Sequence, residues 1–511
     1  MAFLEMNGLT LSVPEAGRGR KIAADQITFS MQEGEILGIV GESGSGKSIT
    51  ALSILGLNAE EIQIEAGSIV FEDDELLDNK EKDWLALRGS RISMIFQEPM
   101  TSLNPVMKAG PQVEEMLLLH EPALAEEQRK SRVLEIFAEV GLKDPEEVFD
   151  QYPHRLSGGM QQRVMIAMAM ICKPKLLIAD EPTTALDASV QDQILALMRK
   201  LNESYGVSIL LISHDLRVIH SICSHVLVMK AGRIVEQGEI EAVFYHPKET
   251  YTKNLLAAIP TSTEDDFLKR EQNLSQEAEV TFAVKDLTKS FLIKGERLFG
   301  PKTRQVIFQD LSFEVKKGEF VGLLGESGCG KSTLCKCICG LEMPDVGEIT
   351  FPQAVRENRK PRISMVFQNP YSSMNPVKKV GWILEEPLRL SHVPAETRSA
   401  RVKAMMEKVG LDETFAKRRM DQLSGGQRQR VAIGLALMEE PDLVILDEPV
   451  SALDVTIQAQ ILALLKQLKK ELGLTFLFVS HDKNVVYEVC DRIFRMEEGS
   501  LREVTGKESE Q

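Results

Sequence analysis

The sequence is poor in cysteine and aromatic residues, and it has no excess of positive charge. Seven cysteines occur among 511 residues, and aromatic residues make up 5%. No two cysteines are spaced C-x-x-C, which argues against zinc modules of the kind found in DNA-repair ATPases. The formal net charge is −16. We therefore expect no nucleic-acid partner, because phosphate backbones attract a basic face.

Long apolar runs are also missing. The longest spans residues 164–172, whereas a membrane-spanning helix needs about 20 apolar residues. The first ten residues, MAFLEMNGLT, lack the basic and apolar segments of a secretory signal. These absences predict a chain on the cytoplasmic side of a membrane, with no span of its own.

Three of the cysteines are crowded into the segment CKCIC at residues 335–339. On a helix, Cys335 and Cys339 share a face while Cys337 points elsewhere. Buried thiols are therefore a better interpretation than a metal site. Cys329 differs because it lies inside a glycine-rich motif, where a thiol reagent is expected to block one binding site only.

The main feature of the sequence is a set of motifs that occurs twice in the same order. The first copy comprises Gly41-Glu42-Ser43-Gly44-Ser45-Gly46-Lys47-Ser48, Gln97, Leu156-Ser157-Gly158-Gly159, Asp180-Glu181, Asp187 and His214. The second comprises Gly325-Glu326-Ser327-Gly328-Cys329-Gly330-Lys331-Ser332, Gln368, Leu423-Ser424-Gly425-Gly426, Asp447-Glu448, Asp454 and His481. From the Ser-Gly-Gly element onward the copies are offset by a constant 267 positions (424−157 and 481−214 alike). A repeat this strict predicts two domains of one fold.

Each copy begins with G-x-x-x-x-G-K-S between a buried-strand pattern and a helix, which predicts a phosphate loop. Backbone N–H groups and the positive end of the following helix bind phosphate oxygens. Lys47 and Lys331 supply positive charge to the phosphates, and Ser48 and Ser332 offer hydroxyls to Mg²⁺. A glycine-rich turn with an incidental lysine could explain one match but hardly two.

The acids that end the next apolar runs are candidates for metal binding and base catalysis. Asp180 and Asp447 are placed to hold Mg²⁺ at the end of a strand. Glu181 and Glu448 follow them as candidate general bases that polarise water. The alternative is that adjacent acids merely solvate a strand end.

The histidines and the Ser-Gly-Gly elements complete the predicted sites. His214 and His481 follow apolar strands and are interpreted as phosphate contacts, since no spacing supports a protease triad. Serine and two glycines before a helix form a second anion site, or, in the alternative reading, a plain helix cap. A nucleotide held between the loop of one half and the Ser-Gly-Gly of the other would use both kinds of site.

Residues outside the motifs indicate the general organisation. Short apolar runs up to about residue 95 predict strands, and residues 105–150 have helical spacing. The segment EDDELLDNKEKDW, extra in the first half, reads as a surface elaboration. Residues 261–279 are polar and predict a linker, and the last seven residues predict a disordered tail.

With these motifs the chain resembles ABC-type ATPases that carry both nucleotide-binding domains on one polypeptide. The resemblance implies an α/β fold of two tandem P-loop NTPase domains, each with a mostly parallel core sheet, an antiparallel β subdomain and a helical subdomain. The implied domains are 1–260 and 280–505, joined by the linker 261–279. ATP and Mg²⁺ are the implied ligands, and both sites are expected to hydrolyse ATP.

The same resemblance implies how the sites are completed. Gly41 to Ser48 would face Ser424, Gly425 and Gly426, and Gly325 to Ser332 would face Ser157, Gly158 and Gly159. Gln97 and Gln368 would contact Mg²⁺. An aromatic residue usually stacks on adenine ahead of the loop. Phe291 fits in the second half, whereas the first half has only Val13, so unequal ATP affinity is expected.

Finer features resemble the ATPases of peptide and nickel importers. They are FQEPMTSLNP (96–105), FQNPYSSMNP (367–376), YPHRLS (152–157) and HPKETYTKNLLAAIP (246–260), the last resembling a helical extension. The group implies two membrane permease subunits and an extracytoplasmic binding protein. No iron–sulfur cluster is expected, because the extension runs into a linker without cysteine. Nickel or sugar import and a soluble tandem ATPase acting on ribosomes remain alternatives.

Overall fold

The computed structural model describes residues 3–15, 19–97, 102–184, 186–271, 279–294, 302–326, 328–451 and 453–505. Several predicted features fall outside these ranges, namely Ser327 of the second phosphate loop, residues 98–101 of the first importer-like segment, Ala185 and Ala452 before the motif aspartates, 272–278 of the linker and 506–511 of the tail. The chain divides into two compact units. One comprises Met1–Ala258 and Asp454–Thr456, and the other comprises Ile259–Leu453 and Ile457–Gln511.

Strands and helices alternate in the first unit. Its strands are Leu4–Glu15, Gly19–Met31, Ile36–Val40, Gln63–Phe71, Asp74–Glu75, Ile92–Ile95, Leu176–Asp180, Ser208–Ser213, His225–Lys230 and Arg233–Glu239. Its α-helices include Lys47–Ile54, Glu81–Leu87, Ala109–His120, Glu126–Glu139, Pro145–Asp150, Gly158–Met170, Ala188–Tyr205, Leu216–Ile222, Ile240–Tyr245 and Thr250–Ala257.

The second unit repeats this order. Its strands are Val280–Lys294, Lys302–Lys316, Phe320–Leu324, Val346–Thr350, Ile363–Val366, Leu443–Asp447, Phe476–Ser480, Arg492–Glu497 and Ser500–Glu503. Its α-helices are Glu264–Glu271, Lys331–Ile338, Pro352–Arg356, Pro370–Ser373, Val380–Leu390, Ala395–Lys408, Gly425–Leu437, Val455–Leu472 and Lys483–Val489.

Each unit is built on a six-stranded sheet in which five strands are parallel and one edge strand is antiparallel. In the first unit the order is Arg233–Glu239, His225–Lys230, Ile36–Val40, Ser208–Ser213, Leu176–Asp180 and Ile92–Ile95. The second unit has the matching order, with Phe320–Leu324 beside Phe476–Ser480. Central strands such as Ile36–Val40 are buried along their whole length, because helices cover both faces of a parallel sheet.

A smaller antiparallel sheet accompanies each central sheet, with four strands in the first unit and three in the second. The EDDELLDNKEKDW segment accounts for part of this difference. It forms the fourth strand and a helix, and it buries Leu76 and Trp84 in the hydrophobic core. The segment is therefore partly structural, not only a surface elaboration. Together with the helices of the 105–150 region, these sheets confirm the predicted fold class.

The predicted linker contains a structured helix at its start. Thr263 caps the helix Glu264–Glu271, because its hydroxyl accepts the N–H of Asp266 at 3.3 Å. Phe267 is 1% exposed and packs against Tyr487 of the second unit, with 5.9 Å between ring centroids. Tyr487 also donates to the Glu264 carboxylate at 2.7 Å. This single aromatic residue anchors an otherwise polar segment.

Candidate functional site

The phosphate loops lie at the carboxyl ends of central strands, where ligands bind in open α/β sheets. The first loop follows Ile36–Val40 and leads into the helix Lys47–Ile54. Gly46 precedes that helix with φ of 101°, a left-handed conformation that favours glycine. A Cβ on Gly41 would lie only 2.2 Å from the carbonyl oxygen of Met229. Glycine is therefore required at both points for the loop to curl as it does.

The second loop has the same construction. Gly330 has φ of 110°, and a Cβ on Gly325 would lie 2.6 Å from the carbonyl oxygen of Met496. Gly330 precedes the helix Lys331–Ile338, so the backbone N–H groups of its first turn point toward the loop. Both halves thus place a helix N-terminus, which favours anions, directly after the glycine-rich loop.

Both loop lysines are held by carbonyl groups of their own loop. Lys47 is 5% exposed, and its Nζ donates to the carbonyl oxygens of Gly41 at 2.7 Å and Glu42 at 2.9 Å. Burial lowers the pKa of Lys47, although the carboxylates of Glu181 and Asp180 oppose the shift. Such a buried ammonium, at the start of the loop helix, is well placed to exchange carbonyl oxygens for phosphate oxygens.

Lys331 makes the equivalent contacts in the second loop. Its Nζ donates to the carbonyl oxygens of Gly325 and Glu326, both at 2.7 Å. The Sγ of Cys329 lies 4.0 Å from the same ammonium. The cysteine therefore stands within the loop, as the sequence predicts.

Aspartate and serine oxygens meet beside each lysine. Asp180 ends a buried strand, and burial raises its pKa while a hydrogen bond from Ser48 opposes the rise. The Oδ1 atom of Asp180 is buried and has no hydrogen-bond partner among the residues that the structure describes. In the second half, Ser332 Oγ lies 3.4 Å from Asp447 Oδ1. A serine hydroxyl and an aspartate carboxylate are the hard oxygen ligands that Mg²⁺ prefers, and its remaining positions would go to phosphate and water.

Glu181 gathers three donors around one carboxylate. Gln97 Nε2 donates to its Oε2 at 3.0 Å, Thr184 Oγ1 at 2.9 Å, and His214 Nδ1 lies 3.2 Å away. Burial by itself raises the pKa of Glu181, but His214, Thr184 and Lys47 together lower it to about 2. The carboxylate is therefore ionised and can accept a proton from a bound water.

Glu448 repeats this arrangement. Gln368 Nε2 donates to its Oε2 at 2.8 Å, and His481 Nδ1 lies 3.3 Å from its Oε1. Burial opposes the shift, but the His481 contact lowers the pKa of Glu448. Glu181 and Glu448 also share a left-handed backbone, with φ of 48° and 47°. This conformation costs about 1–3 kcal/mol in a residue with a side chain and clusters at functional sites.

The two glutamines and the two histidines thus meet their glutamates in each half. The Gln97 and Gln368 amide nitrogens contact the candidate bases, and the histidine rings approach the same carboxylates from the next strand. The predicted contact of these glutamines with Mg²⁺ stays a prediction.

The Ser-Gly-Gly elements begin helices in both halves. Ser157 and Ser424 cap the helices Gly158–Met170 and Gly425–Leu437, and each hydroxyl accepts a backbone N–H of the first turn. A Cβ on Gly159 would lie 2.8 Å from Val190, and one on Gly426 would lie 2.4 Å from Ile457. These glycines are needed for packing as well as for exposing N–H groups. The helix-cap reading and the anion-site reading are therefore compatible.

The register of the antiparallel sheets tests the equivalence of Val13 and Phe291. Arg20 Nε donates to Ser12 Oγ at 2.7 Å, and Arg304 Nε donates to Ser290 Oγ at 2.6 Å. Val13 and Phe291 each follow the matching serine. Phe291 is 37% exposed, and Lys289 Nζ lies 4.8 Å from its ring centroid. The second half thus presents an accessible aromatic face where the first presents a small aliphatic side chain.

Sequence reasoning missed two contributors to these sites. Thr184 binds the carboxylate of Glu181, and Ser451 is a hydrogen-bond partner of Glu448. The offset of 267 relates Thr184 to Ser451, so a hydroxyl recurring at matched positions was a usable signal. Tyr251, whose hydroxyl contacts the first loop, lies outside the repeated motifs, so the repeat gave no signal for it.

Cys335 and Cys337 are buried and Cys339 partly so, and burial raises the pKa of all three thiols. Among the described residues, no group of three or more His, Cys, Asp or Glu side chains could hold a metal ion. In the same part of the chain, no helix has both the length and the apolar character needed to cross a membrane.

Fold and sites together define a tandem nucleotide-binding ATPase, and comparison with known proteins agrees. The family model described as ABC transporter matches residues 24–184 and 308–451. The glutathione import ATP-binding protein GsiA of Pectobacterium atrosepticum is 39% identical over 98% of this chain and 86% of its own. The peptidoglycan transport ATP-binding protein YejF of Agrobacterium fabrum is 40% identical over 98% and 92%.

The chain therefore belongs to the ABC transporter family, as an ATP-binding and ATP-hydrolysing member. Among solved structures, one described as RNase-L inhibitor matches 92% of this chain and 85% of its own with a TM-score of 0.60. Its sequence identity of 22% shows a shared fold and nothing further.

Proposed function

We propose that this chain is the ATPase subunit of a membrane importer for peptides and peptide-related solutes. The observation that carries the proposal is the near full-length similarity to proteins named for glutathione import and peptidoglycan transport. Glutathione is itself a tripeptide. The importer-like segments after Gln97 and Gln368, already noted in the sequence, agree with this substrate class. The proposed location of the chain is the cytoplasmic face of the membrane, and the proposed direction of transport is import.

We further propose that residues 1–260 and 280–505 each form a nucleotide-binding domain, with Mg²⁺ held by Ser48 and Asp180 in one and by Ser332 and Asp447 in the other. Each ATP-binding site is completed by the Ser-Gly-Gly element of the opposite domain. Support comes from the two helix N-termini that each half offers to an anion, one after the phosphate loop and one at the Ser-Gly-Gly element. A nucleotide held between the loop of one half and the Ser-Gly-Gly element of the other would use both kinds of N-terminus. Both sites keep a glutamate and a histidine, so both are active.

Paired double variants test this composite arrangement. If the first loop uses Ser424 and the second uses Ser157, Lys47→Ala with Ser424→Arg disables one site and leaves the other whole. Lys47→Ala with Ser157→Arg disables both. Fluorescent ATP titration is therefore expected to give one site per chain for the first pair and none for the second. The reverse result would mean that each domain completes its own site.

Two permease subunits and an extracytoplasmic binding protein are the proposed partners. An exposed valine follows Asn-Pro in both halves, with Val106 81% and Val377 69% exposed. Asn104 and Asn375 fix these turns in the same way, each accepting the valine N–H at 3.1 Å. Paired apolar points close in sequence to Gln97 and Gln368 suit two similar membrane subunits.

Affinity purification from membranes tests the function as a whole. The expected result is co-purification of two membrane subunits, together with a receptor that binds peptides. Val106→Asp with Val377→Asp is expected to lose the membrane subunits while retaining ATP binding. Recovery of ribosomal subunits in place of the membrane subunits would contradict the proposal. A receptor specific for nickel would contradict the proposed substrate class and keep the importer.

A further inference from the structure

The helix Thr250–Ala257 follows the last strand of the first unit and is fixed firmly to it. The Glu236 carboxylate accepts the N–H groups of Lys248 at 2.7 Å and Glu249 at 3.2 Å, directly before the helix. Leu255 is 2% exposed. The start of the helix is thus tied to a strand of the first unit, and at least one of its apolar side chains is buried.

One side chain of this helix reaches the phosphate loop. The hydroxyl of Tyr251 accepts the backbone N–H of Glu42 at 3.2 Å. Tyr251 is 9% exposed, and Lys230 Nζ lies 4.7 Å from its ring centroid. Burial raises the pKa of Tyr251 to about 12, so the hydroxyl is uncharged at neutral pH.

The peptide groups of Glu42 are consequently held from both sides. Tyr251 binds the N–H, while Lys47 Nζ binds the carbonyl oxygen at 2.9 Å. A lysine that turns to phosphate gives up its carbonyl contact, whereas the tyrosine contact can persist. The loop then keeps its curled shape through the tyrosine.

We propose that Tyr251 is a positioning residue for the phosphate loop of the first nucleotide site. It does not touch the nucleotide, and it acts by keeping the loop in the conformation that binds phosphate. Apparent affinity falls in proportion to the fraction of molecules in the competent conformation. The inference rests on the first loop being a nucleotide site and adds a residue, outside the repeated motifs, that tunes this site alone.

Site-resolved nucleotide binding by the full-length chain tests the proposal. A fluorescent ATP analogue is titrated into Lys331→Ala protein, which reports the first site, and into Lys47→Ala protein, which reports the second. Tyr251→Phe is expected to raise the dissociation constant about 2- to 10-fold at the first site, the range for one hydrogen bond. The second site is expected to be unchanged, as is the maximal turnover at saturating ATP.

Tyr245→Phe is the matched control, since Tyr245 lies in the preceding helix and is 59% exposed. It is expected to leave both sites unchanged. Unchanged affinity of Tyr251→Phe at the first site would overturn the inference, and so would equal weakening of both sites, which indicates a general loss of stability. If the Lys331→Ala protein itself fails to bind, the first loop is not a nucleotide site, and both the assignment and the inference fall.

Discussion

The two halves of the molecule agree in their interiors and differ at their margins. Inside, the contacts repeat almost atom for atom, from the lysine held by two loop carbonyls to the left-handed glutamate that receives a glutamine amide and a histidine. These groups must meet a triphosphate whose geometry is fixed. The chemistry therefore constrains both copies equally.

At the margins the halves have diverged. The first has a four-stranded antiparallel sheet, a helix that buries Trp84 and the Tyr251 contact, whereas the second has a three-stranded sheet, Phe291 and Cys329. None of these differences changes the acids or the lysine of either site. We infer that the halves share one reaction and are tuned separately in how tightly each holds ATP.

The largest expected effect tests whether both sites react. Glu181→Gln and Glu448→Gln each remove a candidate base, so each single variant is expected to lose at least half of the ATP turnover and to retain bound ATP. The double variant is expected to lose about 10²–10⁴-fold, the range for general acid–base catalysis. Phosphate release at saturating ATP is the measurement. Glu203→Gln, an exposed residue, serves as control, and full activity in either single variant would show that only one half hydrolyses ATP.

The second prediction exploits Cys329, which occupies the position of Ser45. An adduct there fills the phosphate space, so N-ethylmaleimide is expected to abolish nucleotide binding at the second site and spare the first. Burial raises the pKa of Cys172 and Cys339 to about 11, which slows their reaction.

Fluorescent ATP titration of the Lys47→Ala and Lys331→Ala proteins after treatment measures the effect. Cys329→Ser is expected to remove the sensitivity without removing binding. Loss of binding at the first site, or persistent sensitivity in Cys329→Ser, would contradict the prediction.

The third prediction concerns adenine stacking. Aromatic contacts are worth roughly 1 kcal/mol beyond area burial, or about 5-fold in affinity. Phe291→Val is therefore expected to weaken the second site by about this factor, and Val13→Phe to strengthen the first. The same single-site titrations measure both, and equal dissociation constants in the unmodified halves would count against the asymmetry.

The sequence alone predicted the chemical parts of the sites, because phosphate binding demands glycine at points such as Gly41 and Gly46, and because the repeat showed each motif twice. It did not predict the left-handed φ of Glu181 or the contact of Gln97 with it. Both depend on how neighbouring strands end side by side, which a linear pattern does not encode.

Two segments that the sequence predicts to be polar and exposed each contain one or two large apolar side chains that are buried in the structure. Phe267 anchors the start of the polar linker, and Trp84 and Leu76 fix an acidic insertion in the core. The mean composition of such a segment is polar and therefore does not reveal these few apolar residues. Tyr251 was part of a segment interpreted as an extension helix, but its contact with the loop depends on where that helix packs.

The smallest expected effect concerns an ion-pair cluster in which a basic position of the first half is acidic in the second. In the first, Glu72 accepts from Lys175 and Arg91; in the second, Asp442, 267 positions after Lys175, accepts from Arg359 at 2.6 Å. The hydrogen bond from Lys175 lowers the pKa of Glu72, with burial opposing.

Because the folded pKa of Glu72 is lowered, its stabilisation is present above the ordinary value of 4.5 and is lost as the pH falls through the folded pKa. Glu72→Gln is expected to cost no more than about 1 kcal/mol at pH 7, since Lys175 is half-exposed, and the difference should shrink below pH 4.5. Urea unfolding followed by Trp84 fluorescence in a Trp382→Phe background reports the first half. Asp442→Asn, followed by Trp382 in a Trp84→Phe background, is the matched variant of the second half. A Glu72→Gln effect that grew as the pH fell would mean that the cluster does not stabilise the first half through the ionised carboxylate.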